Sequence, residues 1–228
     1  MDTCYFKDVY NPREDAVMKS QNLSDEIYTL LKNQILNGTL VGGEKIPEES
    51  LAKEFGVSRT PVREAVRRLG EYGLVEIKPR CYAEVSSISD KEAKDIARVR
   101  IDLECLAIDL ITPQSLEENI KDLARHAAEC QYALDIGDRA QSFEQDSLFH
   151  IALVKASGNT TLFNVYERLG ARIQQLRLNQ DLHAQALSDY TIQHAQIMQL
   201  VRDGKKKECK VLIYEHIMHS PHPEGLEL

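Results

Sequence analysis

No two cysteines in this sequence are spaced as CxxC, and the five present (Cys4, Cys81, Cys105, Cys130 and Cys209) are odd in number. With no secretory signal at the N-terminus, they read as reduced thiols of a cytoplasmic protein rather than a disulfide framework. No apolar run approaches the roughly 18 residues that a membrane-spanning helix needs. Internal repeats and low-complexity tracts are absent. Overall positive charge is lacking as well: the formal net charge is -8. That argues against a protein that coats nucleic acid without selectivity.

The charge that is present is unevenly spread. Between Lys53 and Arg80 lie seven basic residues (Lys53, Arg59, Arg63, Arg67, Arg68, Lys78, Arg80) and four acidic ones (Glu54, Glu64, Glu71, Glu76). That window is net +3, which leaves -11 for the rest of the chain. A basic patch on an acidic body marks a local anion-binding surface. At 228 residues, with 43% hydrophobic side chains, the chain is long enough for two domains with real cores.

Residues 1–21 lack periodicity and read as a mobile arm. From Leu23 to Leu36, Ile27, Leu30, Leu31, Ile35 and Leu36 recur at helix spacing. Asn37 and Gly38 end that helix, and Thr39 to Pro47 is a connector. Glu48 to Phe55 is a second, short helix stopped by Gly56. Ser58 is the expected N-cap of a third, with Pro61 in its first turn, where a missing N–H costs least. Gly73 stops that helix. Leu74 to Ile77 and Tyr82 to Ser86 read as two short strands. Beyond Ser89 the texture becomes amphipathic helix, with breaks near Thr112–Pro113, Ile136–Gly137, Ser157 to Asn159, Asp181 to Gln185 and Asp203–Gly204. About six helices follow, enough for a bundle.

Two short helices joined by a glycine turn, the second rich in arginine, have the helix-turn-helix layout. On the third helix Arg59, Thr60 and Arg63 share an outward face and Arg67 continues it. Val62, Ala65, Val66 and Leu69 face inward. A planar guanidinium can take guanine O6 and N7 together or straddle a phosphate. The plainer reading is a solvated basic face. ESLAKEFGVSRTPVREAVRRLGEYGLVEIKPR resembles the winged-helix DNA-binding domain of the GntR family of bacterial transcription regulators over about Leu23 to Val85. The resemblance implies DNA contacts from Arg59, Thr60 and Arg63, with Arg67 further along the same row, and a wing at Lys78 to Ala83. Family members usually carry glycine at the wing tip. By register that position is Tyr82, after Cys81, so the tip is expected to be reshaped, with Lys78 and Arg80 left to hold a phosphate. Cys81 itself reads as a surface thiol.

In the helical half, DSLFH sets Asp146 and His150 four residues apart, one above the other on a helix face. His194 and His216 fall in two later helices. One carboxylate and three imidazoles on three helices can converge on a divalent transition metal; the alternative is hydrogen-bonded structural histidines. His126 and His183 read as surface residues, and His219 and His222 as a solvated C-terminal cluster. The pattern IARVRIDLECLAIDLI, then DSLFHIALVKASGN, then the two later histidines is similar to the FCD domain, the effector-binding bundle of the FadR branch, in its shorter VanR-like form. That resemblance implies that Asp146, His150, His194 and His216 are metal ligands. It also implies that Arg100 is a pocket arginine for an anionic effector; an ordinary salt bridge from Arg100 to Glu104 is the equal alternative.

The expected fold class is therefore mainly α: an N-terminal winged helix-turn-helix with a small β-hairpin over residues 22–88, an FCD-like bundle of about six helices over 89–220, and a tail over 221–228. The expected function is a cytoplasmic, homodimeric, ligand-responsive regulator, by default a repressor. It would bind double-stranded operator DNA and sense a small carboxylate or sugar acid at a metal, zinc first, with nickel, iron or cobalt as alternatives. No membrane contact is expected. The rivals are a metal-dependent enzyme in a helical bundle and a regulator whose metal is purely structural. No HExxH and no second carboxylate placed as a base favour the enzyme.

Overall fold

The structure is a computed structural model. It describes the backbone of residues 12–79, 81–178 and 184–218 and the side chains of 23–79, 81–176 and 191–218. The tail expected at 221–228, Arg80, His183, His219 and His222 lie outside the described residues. Element order is α1 (Pro12–Leu36), α2 (Glu48–Glu54), α3 (Arg59–Glu71), β1 (Val75–Lys78), β2 (Tyr82–Val85), α4 (Asp90–Leu110), α5 (Pro113–Asp135), α6 (Arg139–Lys155), α7 (Thr160–Leu178), α8 (Ala184–Arg202) and α9 (Lys206–Met218). Among the described residues the architecture is mainly helical: a helix-turn-helix with an antiparallel hairpin, followed by six helices.

The first helix starts earlier than the apolar repeat. It begins at Pro12, so the arm expected over 1–21 is already helical in its second half. Proline at the first helical position has φ preset for the helix. The apolar repeat used for the boundary begins only at Leu23.

The N-terminal core gathers Ile27, Leu31 and Ile35 of α1, Leu51 of α2, Val62, Ala65, Val66 and Leu69 of α3, and Leu74, Val75, Ala83 and Val85 around the hairpin. Each is inward by helix or strand period, and burying a side chain of this size contributes about 1.5–3 kcal/mol. The connector does more than connect. Ile46 N donates to Ala83 O at 2.8 Å and Val85 N donates to Glu44 O at 2.8 Å, so it pairs along the outer edge of β2.

The helical half starts and restarts at side-chain caps. Ser89 Oγ accepts from Glu92 N at 3.2 Å, opening α4. Thr112 and Ser115 form a reciprocal capping box with Pro113 at the start of α5. Asp138 accepts from Gln141 N at 3.0 Å to open α6. Ile101, Ile108, Leu123, Phe149, Leu153, Ile197 and Ile213 fill the main core of the bundle. Burial raises the Cys209 thiol to about 12, so this core cysteine is inert.

Helix α7 joins the halves. Its Ala171 is buried in the N-terminal core. Arg172 Nη1 donates to Gly73 O at 2.8 Å, Gln175 Nε2 donates to Ser86 O at 2.8 Å, and Arg172 also pairs with Glu92. Gly73 ends α3 at φ +71, and a Cβ there would stand 3.3 Å from Arg172 Cδ. Both the left-handed backbone and the close approach call for glycine. Gly73→Ala is expected to cost at least about 1–2 kcal/mol from the backbone alone. Urea unfolding checks this, and an unchanged midpoint would mean the turn relaxes freely.

Candidate metal centre and nucleic-acid interface

Three helices present the four polar residues singled out in the sequence to one point. Asp146 and His150 come from α6, one turn apart, His194 from α8 and His216 from the last turn of α9. One ligand atom from each lies within 4.8 Å of all the others. All three histidines approach through Nε2: His150 to His216 at 3.0 Å, His194 to Asp146 Oδ1 at 3.1 Å, and His150 and His216 to the same oxygen at 3.7 and 3.8 Å. The side chains are buried to 1% exposure or less. Phe149 stacks on His194 with ring centres 4.2 Å apart and walls that side of the centre.

The outer atoms of two rings are held. His150 Nδ1 meets Glu104 Oε2 at 2.8 Å, and His216 Nδ1 meets Gln193 Oε1 at 2.8 Å. A carboxylate and an amide oxygen only accept, so both Nδ1 atoms carry the proton. In neutral rings both Nε2 lone pairs then face each other and the Asp146 oxygen. Such a donor set is complementary to a cation. Nitrogens bound at about 2.1 Å and at right angles stand about 3 Å apart, close to the shorter separations here. The four residues could therefore hold a divalent transition metal, with Glu104 and Gln193 orienting two of the imidazoles.

Glu104 is the charge at the bottom of this network. Arg100 Nε donates to its Oε1 at 2.7 Å, and Tyr166 Oη donates to the same oxygen at 2.5 Å. Burial alone would raise its pKa. The neighbouring His150 and Arg100 and the bonds from His150 and Tyr166 outweigh burial and hold the carboxyl well below the usual carboxylate range. Burial pushes His150 down despite Glu104, so its ring is neutral and fit to be a ligand, and Arg100 is the lasting counter-charge. Burial and Glu104 together push the Tyr166 phenol well up, so it stays a donor. The salt-bridge alternative for Arg100 is thus realised. Glu104, Tyr166 and Gln193 complete the centre, and of these only Glu104, four residues from Arg100, left a trace in the sequence.

His126, expected at the surface, is buried. Its Nδ1 meets Gln145 Oε1 at 2.8 Å between α5 and α6. A histidine whose polar edge finds a partner on a neighbouring helix leaves no sign in local patterning.

At the other end, α3 exposes Arg59, Thr60, Arg63 and Arg67 on one face, with Val62, Ala65, Val66 and Leu69 buried opposite. Arg68 departs from them: it pairs with Asp25 and lies over the Tyr28 ring, 4.4 Å from its centre, so it ties α3 to α1. A groove of about 580 Å3 runs between the arginines and the hairpin, bordered by Lys78 and Tyr82. Lys78 Nζ is clasped by Glu76 at 2.5 Å and Glu84 at 3.3 Å. Tyr82 lies in β2 opposite Lys78, with Lys45 Nζ 4.2 Å from its ring centre.

The bacterial regulatory proteins of the gntR family match residues 23–83, and the FCD domain matches residues 95–219. The chain belongs to the GntR family. A Bacillus subtilis (strain 168) protein, the uncharacterized HTH-type transcriptional regulator YdhC, is 32% identical over 195 residues, covering 85% of this chain and 87% of its own. The HTH-type transcriptional repressor RspR of Escherichia coli (strain K12) is 25% identical over 197 residues, 86% of each chain. The solved structure of E. coli McbR/YncC superposes with a TM-score of 0.70 at 26% identity, over 86% of this chain and 93% of that one. As a GntR regulator with an FCD domain, the protein is a DNA-binding transcription regulator and not an enzyme. Among the described residues no helix is long and apolar enough to cross a membrane.

Because the folded carboxyl of Glu104 is depressed, its contribution to stability is complete above the ordinary carboxylate value of about 4.3 and declines as pH falls toward the folded value. Glu104→Ala removes the counter-charge of a buried arginine and is expected to cost about 3–5 kcal/mol at neutral pH. The gap to wild type should narrow as the pH drops below about 4. Urea melts across that range check both statements.

Proposed function

We propose that this GntR regulator is a cytoplasmic homodimeric repressor. Its FCD domain holds a divalent transition metal, zinc in the first instance, through Asp146, His150, His194 and His216, and responds there to a small carboxylate or sugar acid. The observation that carries the reading is the inward convergence of three Nε2 atoms and one carboxylate oxygen, with the Nδ1 atoms of His150 and His216 engaged outside. When bound, the metal supplies positive charge to which an acid can be anchored. Arg100 is proposed as the acid's second partner because of its place beside Glu104. Nickel, iron and cobalt suit imidazole ligands as well.

On the DNA side we assign Arg59, Thr60, Arg63, Arg67 and Lys78 to the operator, and the family wing adds Arg80. A twofold dimer would set two α3 helices on half-sites about one helical turn apart. The half-exposed apolar residues Val99, Leu106 and Leu110 of α4 support a face for the second copy. Transmission is proposed along α7. Tyr166 reports on Glu104, and six and nine residues further the same helix grips Gly73 and Ser86 through Arg172 and Gln175. An acid that prefers one setting of α7 shifts the DNA head by that preference alone.

Near-complete burial of the ligand set favours a second reading, in which the metal is structural and no acid reaches it. Thermal unfolding against a panel of small carboxylates and sugar acids, with and without chelation, separates the two. A ligand that binds only the native state raises the melting temperature. Stabilisation by an acid that disappears on chelation is the expected outcome; loss on chelation with no acid effect supports the structural metal. Tyr166→Phe should leave operator affinity near wild type but reduce the acid-induced change in it, and an unaltered change would remove α7 from the route. His194→Ala is expected to lower metal occupancy, and full occupancy in that variant would overturn the ligand set.

A further inference from the structure

The outward arginines of α3 differ in which nitrogen is already engaged. Arg59 is held through Nη2 by Glu49 at 3.1 Å, and Arg67 through Nη1 by Glu71. Arg63 is held through Nε, by Glu48 Oε2 at 3.3 Å. The distinction is chemical. In end-on pairing a guanidinium meets guanine O6 and N7 with its two Nη atoms, and Nε is left over. A carboxylate on Nε fixes the fork without occupying it. A carboxylate on Nη occupies a position that a base or phosphate needs and must leave before contact.

The two kinds of holder also sit differently. The Glu48 side chain is 25% exposed, whereas Glu49 and Glu71 are 65% and 56% exposed. Glu48 is the first residue of α2, so its carboxylate stands on the helix that flanks α3 across the glycine turn. Arg63 itself is 65% exposed and borders the groove between α3 and the hairpin.

We infer that Glu48 is a positioning residue for sequence readout, presenting the Arg63 fork to a guanine edge, whereas Glu49 and Glu71 are exchangeable partners that DNA phosphates displace. The inference rests on the assignment of Arg63 to the operator. It divides the arginine face in function: Arg63 discriminates, and Arg59 and Arg67 attach. A complete bidentate arginine–guanine pair supplies roughly 5–150-fold discrimination against the wrong base. A freely rotating Arg63 retains only part of that.

The test is parallel selection from a randomised pool of duplex DNA by full-length wild type and by Glu48→Ala, Glu48→Gln, Glu49→Ala, Glu71→Ala and Arg63→Ala. Affinity and its salt dependence are then measured on the wild-type-selected duplex and its single-base variants. Glu48→Ala is expected to lower preference at one base pair per half-site by about tenfold, the same position that Arg63→Ala relaxes. Glu48→Gln keeps an acceptor for Nε and should restore that preference. Glu49→Ala and Glu71→Ala should bind all duplexes more tightly, with steeper salt dependence and unchanged preferences. The proposal is overturned if Glu48→Ala behaves like Glu49→Ala, or if Glu48→Gln fails to restore the preference while melting like wild type. If Arg63→Ala leaves every preference intact, or wild type selects no sequence, the underlying assignment of Arg63 to base readout fails instead.

Discussion

A negative charge buried away from solvent must be answered from within the protein, and here that charge is Glu104. Three elements answer it: Arg100 from its own helix, His150 from α6 and Tyr166 from α7. Removing any one leaves the carboxylate with fewer partners where the dielectric cannot compensate. The position of α6 relative to α4 and α7 is therefore set by polar demand as well as apolar packing. His150 meets Asp146, His194 and His216 because its other nitrogen is already committed to Glu104. Apolar contacts such as Phe149 against His194 then close the centre.

The junction between the halves follows the same principle at lower stakes. Arg172 and Gln175 donate to backbone carbonyls at the end of α3 and after β2, places where regular structure stops and an acceptor is left over. Ala171 adds an apolar contact to these bonds. Such a joint fixes an orientation without merging two cores.

Much of this was legible in the sequence because much of it is periodic or punctuated. Gly56, Gly73, Thr112–Pro113, Gly137, Gly158 and Gly204 mark element ends, and the inward face of α3 follows from the spacing of Val62, Ala65, Val66 and Leu69. The juxtaposition of Asp146 and His150 follows from helix geometry. That His194 and His216 join them came from family resemblance, since nothing local says which way a histidine points across a bundle. Glu104 as a hub, Gln193 behind His216, the burial of His126 and the carboxylates holding the arginines are all pairings between elements. They depend on how helices cross, and residue order carries little trace of that. The early start of α1 at Pro12 is not marked in the sequence, because the apolar repeat begins only at Leu23.

The chain order of the centre has a consequence for synthesis. The DNA head, with all of its core but Ala171, lies in the first part of the chain and emerges from the ribosome early. His150 must wait a further 66 residues for His216 on α9. At roughly 5–20 residues per second, several seconds separate the synthesis of the DNA head from that of the last helix of the centre. A nascent chain of this design has its DNA-binding core, but for Ala171, made well before the four residues of the Asp/His cluster can meet.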